Sequence, residues 1–173
     1  MAAKAKPAPP LDYPKSFEEM LAVSQSVNLS LLRAIPDALW PAPPPTGKGR
    51  SIAQLFAHIH NVRLLWLVAQ KRENLPAKVE AEKLDKAAAL KALDESALAL
   101  RAVIREAAQT PDGRIRDFKP NVAHFVAYLI SHEAHHRGQV TQLARALGHP
   151  IDQKTMFGLW QWSTHWREAG FGS

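Results

Sequence analysis

One long amphipathic helix is predicted by residues 120–148, PNVAHFVAYLISHEAHHRGQVTQLARALG. Apolar residues recur along this segment at spacings of three and four, which is the period of an α-helix. Pro120 suits the first turn of a helix, where a backbone N–H has no intrahelical partner. Gly148 suits the position just after the last turn, with Pro150 beyond it. The segment therefore predicts a helix that begins at about Pro120 and ends at about Gly148.

Three more long helices are predicted upstream. The segments 16–39 and 51–71 each begin with a serine that is followed three residues later by Glu or Gln, the capping-box pattern of a helix N-terminus. Apolar residues then follow at helical spacing in both. The segment 85–108 is rich in Ala, Leu and Lys, which have high helix propensity. Together with residues 120–148, these segments supply the helices of a bundle.

The remaining segments are predicted to form the loops between the helices and the two terminal regions. Residues 41–50 and 110–120 carry Pro and Gly clusters and are predicted to be loops. Residues 154–169 could form a shorter terminal helix, and residues 1–15 have the Ala-, Lys- and Pro-rich composition of a disordered tail. No β-hairpin pattern is present. The prediction is an all-α protein: a single four-helix bundle domain over residues 16–173, with a short C-terminal helix.

Composition narrows the function classes. The 173-residue chain has no Cys, which excludes disulfides, thiolate-zinc ribbons, iron–sulfur ligation and cysteine nucleophiles. Its 22 Lys and Arg residues against 16 Asp and Glu give a net charge of +6, but the basic residues are dispersed, so specific nucleic-acid binding is not expected. No uninterrupted apolar run is long enough to span a membrane, and the first ten residues lack the apolar core of a secretory signal. We expect a cytoplasmic protein.

Two histidines on the last long helix have metal-ligand spacing. His132 and His136 are four residues apart and share one helix face. The same row contains His124 and Tyr128 in one direction and apolar residues in the other, so we expect it to face inward. His135 lies on a more polar stripe and is left out of the predicted site. A pair of inward-facing imidazoles at this spacing favours metal binding over a purely structural role for the two histidines.

A metal site of this kind needs a third protein ligand, which must come from another helix. The second predicted helix offers His58 and His60. Both of the helix rows on which they lie are partly apolar, so periodicity does not decide which of the two is the ligand and only weakly favours His58. If none of these histidines binds metal, they are ordinary hydrogen-bonded helix residues.

The same helix contains a competing motif. His132, Glu133 and His136 satisfy H-E-x-x-H, in which two histidines bind zinc and the Glu activates water in metallopeptidases. The extended version of that motif needs Gly and His where this chain has Gln139 and Gln142. The peptidase reading is therefore the weaker one. Glu133 would otherwise be a solvated helix residue or an outer partner of the metal ligands.

Two stretches resemble a known family. Residues 51–59, SIAQLFAHI, and residues 132–139, HEAHHRGQ, followed by Leu-Gly at 147–148, are similar to motifs of the DinB/YfiT-like superfamily of metalloenzymes. That resemblance covers residues 16–166. It implies a four-helix bundle in which His58, His132 and His136 bind one divalent metal ion.

The resemblance also implies functions. Several members of the superfamily are thiol-dependent S-transferases or isomerases, so we expect S-transfer from a low-molecular-weight thiol to a small electrophile, or metal-assisted hydrolysis of a small molecule. Zinc or nickel is the expected metal, and a homodimer is the expected assembly. The alternative is a non-catalytic interaction module with structural histidines, which contacts a partner through Trp160, Trp162 and Trp166.

Overall fold

The computed structural model describes residues 10–172 and confirms an all-α bundle. Residues 1–9, which carry most of the predicted tail, lie outside the described residues. No β-strand occurs within residues 10–172. The α-helices of this range are α1 (Tyr13–Ala34), α2 (Ile52–Ala69), α3 (Lys86–Ala108), α4 (Val122–Ala146), α5 (Gln153–Gly158) and α6 (Trp162–Glu168). Two single-turn 3₁₀ helices, Asp37–Leu39 and Ala81–Lys83, lie in the connections.

Helix α1 begins three residues before the predicted start, and Ser16 is not its cap. Asp12 caps the helix instead, and its carboxylate accepts a hydrogen bond from the Lys15 backbone N–H at 3.0 Å. Pro14 fits the first turn because it has no N–H to satisfy. The Ser16 hydroxyl donates to the Asp12 carbonyl oxygen at 2.7 Å, so it lies inside the helix. Both Asp and Ser are suitable N-cap residues, and the helix begins after the upstream one, which was not considered as a cap in the prediction from sequence.

The same helix ends at Ala34 rather than near Leu39. Ile35 precedes a proline and adopts an extended conformation, with φ −73° and ψ 125°. A residue before proline is disfavoured in the helical region because the proline ring crowds its backbone. The chain then makes the 3₁₀ turn Asp37–Leu39, and the Trp40 indole N–H donates to the Leu84 carbonyl oxygen at 2.6 Å. This contact anchors the loop to the connection before α3.

The other long helices begin close to their predicted positions. Ser51 forms the predicted capping box with Gln54 at the start of α2, and Asp85 caps α3. Helix α4 is capped by Asn121, so Pro120 precedes the cap and does not lie in the first turn. At the other end of α4, Gly148 has φ +83°, the left-handed conformation that favours glycine after a helix.

The C-terminal segment forms two helices, where the sequence predicted one. Helix α5 ends at Gly158. The Gly158 carbonyl oxygen accepts hydrogen bonds from the Gln161 backbone N–H at 3.0 Å and from Nε2 of the buried His165 ring at 3.1 Å. The imidazole thereby takes part in a sharp turn between the two helices. Helix α6 then packs on α1, where the Trp166 indole donates to Glu19 at 3.0 Å.

The four long helices surround two apolar clusters. Helices α1 and α2 each pack against both α3 and α4, which places α1 and α2 on opposite sides of the bundle. The first cluster includes Leu32, Phe56, Leu93 and Val140. The second includes Leu21, Leu67, Leu100 and Phe125. Each helix contributes to both clusters, so the burial of apolar side chains holds all four together.

Helix α2 is long and apolar enough to cross a membrane by length and composition alone. More than half of it is buried inside the bundle. A core helix of a soluble protein passes the same test for the same reason, since it is surrounded by other apolar side chains. Its burial assigns it to the core of the bundle.

Candidate metal centre

A layer of buried polar residues separates the two apolar clusters. Each long helix passes through this layer at one level and supplies a polar side chain to it. The contributors are Asn28 from α1, Arg63 from α2, Ser96 from α3 and Glu133 from α4, all at most 1% exposed. Buried polar groups are costly unless they are hydrogen-bonded, so a continuous layer of them marks a specialised part of the bundle.

Three histidines meet at the edge of this polar layer. His58 on α2 and the pair His132 and His136 on α4 place one ring nitrogen each within 4.8 Å of the other two. The Nε2 atoms of His132 and His136 are 3.1 Å apart. His136 is buried, and the other two are half-buried, so the group is reachable from solvent on one side. The structure thus brings together the three histidines that the resemblance implied.

A neighbouring glutamine fixes the orientation of His136. The Nδ1 atom of His136 lies 2.7 Å from the Gln139 Oε1 atom, an acceptor, so Nδ1 carries the proton. In a neutral ring the proton on Nδ1 leaves a lone pair on Nε2, the atom that faces His132. This outer hydrogen bond is typical of metal-ligating histidines because it sets both tautomer and ring angle. In the sequence, Gln139 stood out only as a departure from a peptidase motif, and its role beside His136 was not predicted.

The structure separates His58 from His60, which periodicity left open. His60 is 1% exposed, with Nδ1 2.8 Å from the Ala92 carbonyl oxygen and Nε2 2.9 Å from the Ala77 carbonyl oxygen. A carbonyl oxygen therefore occupies the approach to each ring nitrogen, and His60 cannot reach a metal ion. His60 ties α2 to α3, whereas His58 faces the α4 pair.

The environment keeps the three imidazoles neutral. Burial lowers the pKa of His58 to about 4, with further lowering by the charge of Arg50 and by the neighbouring histidines. Burial also lowers the pKa of His132 and of His136. Neutral imidazole is the form that binds metal, since protonation would occupy the donor lone pair. The cluster is in that form at neutral pH.

Glu133 lies in the polar layer rather than on a solvated surface. It is 1% exposed, and its Oε1 accepts a hydrogen bond from Arg63 Nε at 2.8 Å. Its Oε2 accepts from Asn28 Nδ2 at 2.7 Å and from Ser24 Oγ at 3.1 Å. The Arg63 charge and hydrogen bond, with that of Asn28, hold the pKa of this carboxyl below its usual range despite the opposing effect of burial. With both oxygens engaged, Glu133 is not placed to activate water as an H-E-x-x-H metallopeptidase requires.

The other residues of the predicted row behave differently from one another. His124 is exposed and bonded to Asn121 at 2.9 Å, so the prediction that it faces inward is wrong. Tyr128 is half-buried, and its ring lies roughly parallel to that of His132 with centroids 6.0 Å apart. His135 is exposed, in keeping with its polar stripe. The inward row therefore begins at Tyr128.

A cleft opens beside the histidines. Its volume is about 520 Å³, and it is lined by Gln139 and Leu143 from α4, Leu55 from α2 and the 44–50 loop. Lys48 and Arg50 are its only charged lining residues, and neither forms a salt bridge within residues 10–172. The cleft therefore presents positive charge next to the three imidazoles.

The histidine group can hold a divalent transition metal ion. In a tetrahedral site with metal–nitrogen bonds of about 2.0–2.1 Å, ligand nitrogens lie about 3.3 Å apart. The 3.1 Å separation of the α4 pair is close to that value, and His58 offers a third ring nitrogen within 4.8 Å of both. Three neutral imidazoles suit zinc, nickel, copper or iron and leave coordination positions for water or substrate.

Comparisons with known proteins identify the family. Neither the characterised proteins nor the solved structures gave a significant match to this chain. The family model described as "DinB family" matches residues 4–168, which include all six helices and the three histidines. The chain therefore belongs to the DinB family.

Proposed function

We propose that this protein is a metal-dependent enzyme in which His58, His132 and His136 bind one divalent ion, zinc or nickel. The observation that carries the proposal is the convergence of three neutral imidazoles at the open edge of a buried polar layer. A divalent ion bound there lowers the pKa of a coordinated water or thiol and supplies a nucleophile near neutral pH. The proposed reaction is S-transfer from a low-molecular-weight thiol to a small electrophile, or hydrolysis.

The residues around the histidines support this proposal. Gln139 holds the His136 ring so that its Nε2 lone pair faces the other two imidazoles. Lys48 and Arg50 line the adjacent cleft and would attract an anionic substrate or cosubstrate. Because the chain has no Cys, any reacting thiol must come from the cosubstrate. Glu133 is paired with Arg63, so we assign it no role in proton transfer.

Two broader properties belong to the proposal. We propose a homodimer, since helical domains of this size commonly pair through a helix face and most soluble oligomers are symmetric. We also propose a cytoplasmic location. A measured solution mass at micromolar concentration tests the first, and fractionation of cells expressing the untagged chain tests the second.

Metal analysis of ligand variants tests the site. Untagged protein, purified without chelator, is expected to contain about one equivalent of metal per chain or to take it up on addition. His58→Ala and His132→Ala should each lose it, because two imidazoles bind weakly. His135→Ala and His149→Ala, which alter exposed histidines outside the cluster, are the matched controls and should retain it. Equal retention in all four variants would refute the ligand assignment.

The reaction needs a separate test. The metal-loaded protein should consume a small electrophile faster with a thiol than without it if S-transfer is correct, and His132→Ala should abolish the difference. Turnover without thiol would favour hydrolysis. Stoichiometric metal with no turnover of either kind would support binding without catalysis. Absence of metal from every preparation would favour the interaction-module alternative, for which the 81% exposed Trp160 is the relevant observation.

A further inference from the structure

A second pocket lies on the face of α4 opposite the histidines. Successive α-helical residues are about 100° apart, so the row of Ile130, Ala134 and Gly138 is offset by about 200° from the row of His132 and His136. That first row lines a pocket of about 260 Å³ between α4, α1 and the C-terminal helices. Its other apolar lining residues are Val27, Met156, Leu159, Trp160 and Trp162. We refer to it as the Arg137 pocket, after the one charged residue in its lining.

Arg137 brings a positive charge to this pocket. Its Nη1 group donates to Asn28 Oδ1 at 2.7 Å and to Ser24 Oγ at 3.2 Å, both neutral partners. The nearby buried carboxylate, Glu133, is paired with Arg63 at 2.8 Å. This part of the polar layer thus holds two guanidinium groups and one carboxylate. Within residues 10–172, no acidic side chain forms a salt bridge with Arg137.

The guanidinium has unused hydrogen-bonding capacity. Arginine has five N–H donors, and only Nη1 of Arg137 is bonded to the described protein. Burial lowers the pKa of Arg137 from its ordinary value, although the nearby charge of Glu133 opposes this shift. A half-buried cation beside an apolar pocket is stabilised by an anion that can accept two hydrogen bonds from its fork. The Ser24 hydroxyl, which also lines the pocket, adds a polar group at the same end.

We propose that the Arg137 pocket binds a small apolar molecule that carries one carboxylate group. The carboxylate would pair with Arg137, and the apolar part would contact the indoles of Trp160 and Trp162. A monoanion matches the single excess positive charge, whereas a phosphate dianion would leave a negative charge unpaired among apolar walls. The volume of about 260 Å³ lies below the range typical of drug-sized ligands, so the molecule is a small one. This site is independent of the proposed metal centre.

Octanoate is a suitable probe, with 1-octanol and octylamine as neutral and cationic counterparts of equal chain length. Binding to the full chain would be measured by calorimetry and by tryptophan fluorescence. EDTA is included so that the carboxylate cannot bind a metal ion. Octanoate is expected to bind at least about tenfold more tightly than octanol, since hydrogen bonds to charged groups are the stronger ones, and octylamine is expected not to bind. Equal affinity for octanoate and octanol would overturn the proposal.

Variants locate the binding. Arg137→Gln should abolish the preference for octanoate over octanol, whereas Arg145→Gln, which removes an exposed charge from the same helix, should leave it unchanged. Retention of the preference in Arg137→Gln would also overturn the proposal.

A pocket-filling variant guards against loss of folding in Arg137→Gln. Nothing lies within 4 Å of a Cβ added at Gly138, so a side chain at this pocket-lining position begins in open space, and Gly138→Leu should reduce the volume of the pocket. This variant should fold with the helical signal of the parent and bind neither octanoate nor octanol. Octanoate binding that survives Gly138→Leu would place the ligand elsewhere. Absence of octanoate binding to the parent, together with a dimer that Trp160→Ala dissociates, would assign the surface to a second copy of the chain and refute the small-molecule site.

Discussion

Removal of the Glu133 carboxylate is expected to be among the most damaging single changes to stability in this protein. Glu133→Ala deletes the acceptor of three hydrogen bonds, from Arg63 at 2.8 Å, Asn28 at 2.7 Å and Ser24 at 3.1 Å. It also leaves Arg63 as a cation that is 1% exposed, still bonded to the Leu93 carbonyl oxygen and facing no carboxylate. The loss of one partner of a buried pair strands a charge, which costs more than the pair contributes.

The size of the effect follows from burial. Hydrogen bonds to charged groups contribute about 1.5–3 kcal/mol each, and breaking a buried ion pair lowers the free energy of unfolding by about 3–5 kcal/mol. We expect Glu133→Ala to fall in the second range, a large part of the roughly 5–15 kcal/mol that stabilises a typical domain. The exposed pair of Arg72 with Glu106 provides the control, and Glu106→Ala should cost at most about 1 kcal/mol.

Urea unfolding in EDTA measures both variants and separates folding from metal binding. Glu133→Gln keeps the shape of the side chain but removes its charge and one acceptor. The decrease in its free energy of unfolding should therefore lie between those of Glu133→Ala and Glu106→Ala. A free energy of unfolding of Glu133→Ala that lies within about 1 kcal/mol of the parent value would refute this prediction. Such a result would mean that water or a rearranged side chain compensates Arg63.

Three further predictions concern other parts of the molecule. Hydrogen bonds from α3, chiefly that of Arg105, hold the pKa of Glu18 below its usual value. The ionised Glu18 carboxylate therefore contributes its full stabilisation above the ordinary carboxyl pKa, and this contribution is lost as the pH falls from there through the lowered pKa of the folded state. In Glu18→Gln, the free energy of unfolding measured by urea titration should decrease less between neutral pH and about pH 3 than it does in the parent. An equal decrease in both proteins would contradict this prediction. On the buried face of α3, Leu93→Ala should lower the free energy of unfolding by about 2–5 kcal/mol. Leu98→Ala, at a 65% exposed position of the same helix, should change it by less than about 0.5 kcal/mol. Equal decreases in the two variants would refute the packing described. Gln139→Leu should weaken metal binding about 10–100-fold although the three histidines remain. Competition with a chromogenic chelator measures the affinity. A variant that binds metal as tightly as the parent would show that the glutamine has no part in the site.

The main features of the bundle follow from local sequence. The capping box of Ser51 and Gln54 is formed as predicted, and Gly148 ends α4 in the left-handed conformation. These signals are reliable because the interactions they describe connect residues three or four positions apart. The start of α1 was less well predicted because Asp12 and Ser16 both carry cap chemistry, and only the full geometry selects between them.

The spacing of His132 and His136 by itself determined that one helix face would present two imidazoles together, because four residues make about one helical turn. Tertiary structure decided the rest of the site. His58 and His60 lie in rows of similar apolar character, and only the packing of α2 against α3 and against the loop at Ala77 buries His60 between two carbonyl oxygens. Glu133 likewise gains its role from Arg63, 70 residues away in the chain. A local pattern fixes which side chains share a face, but the partners of a buried charge are set by which helices pack together, and that depends on the whole chain.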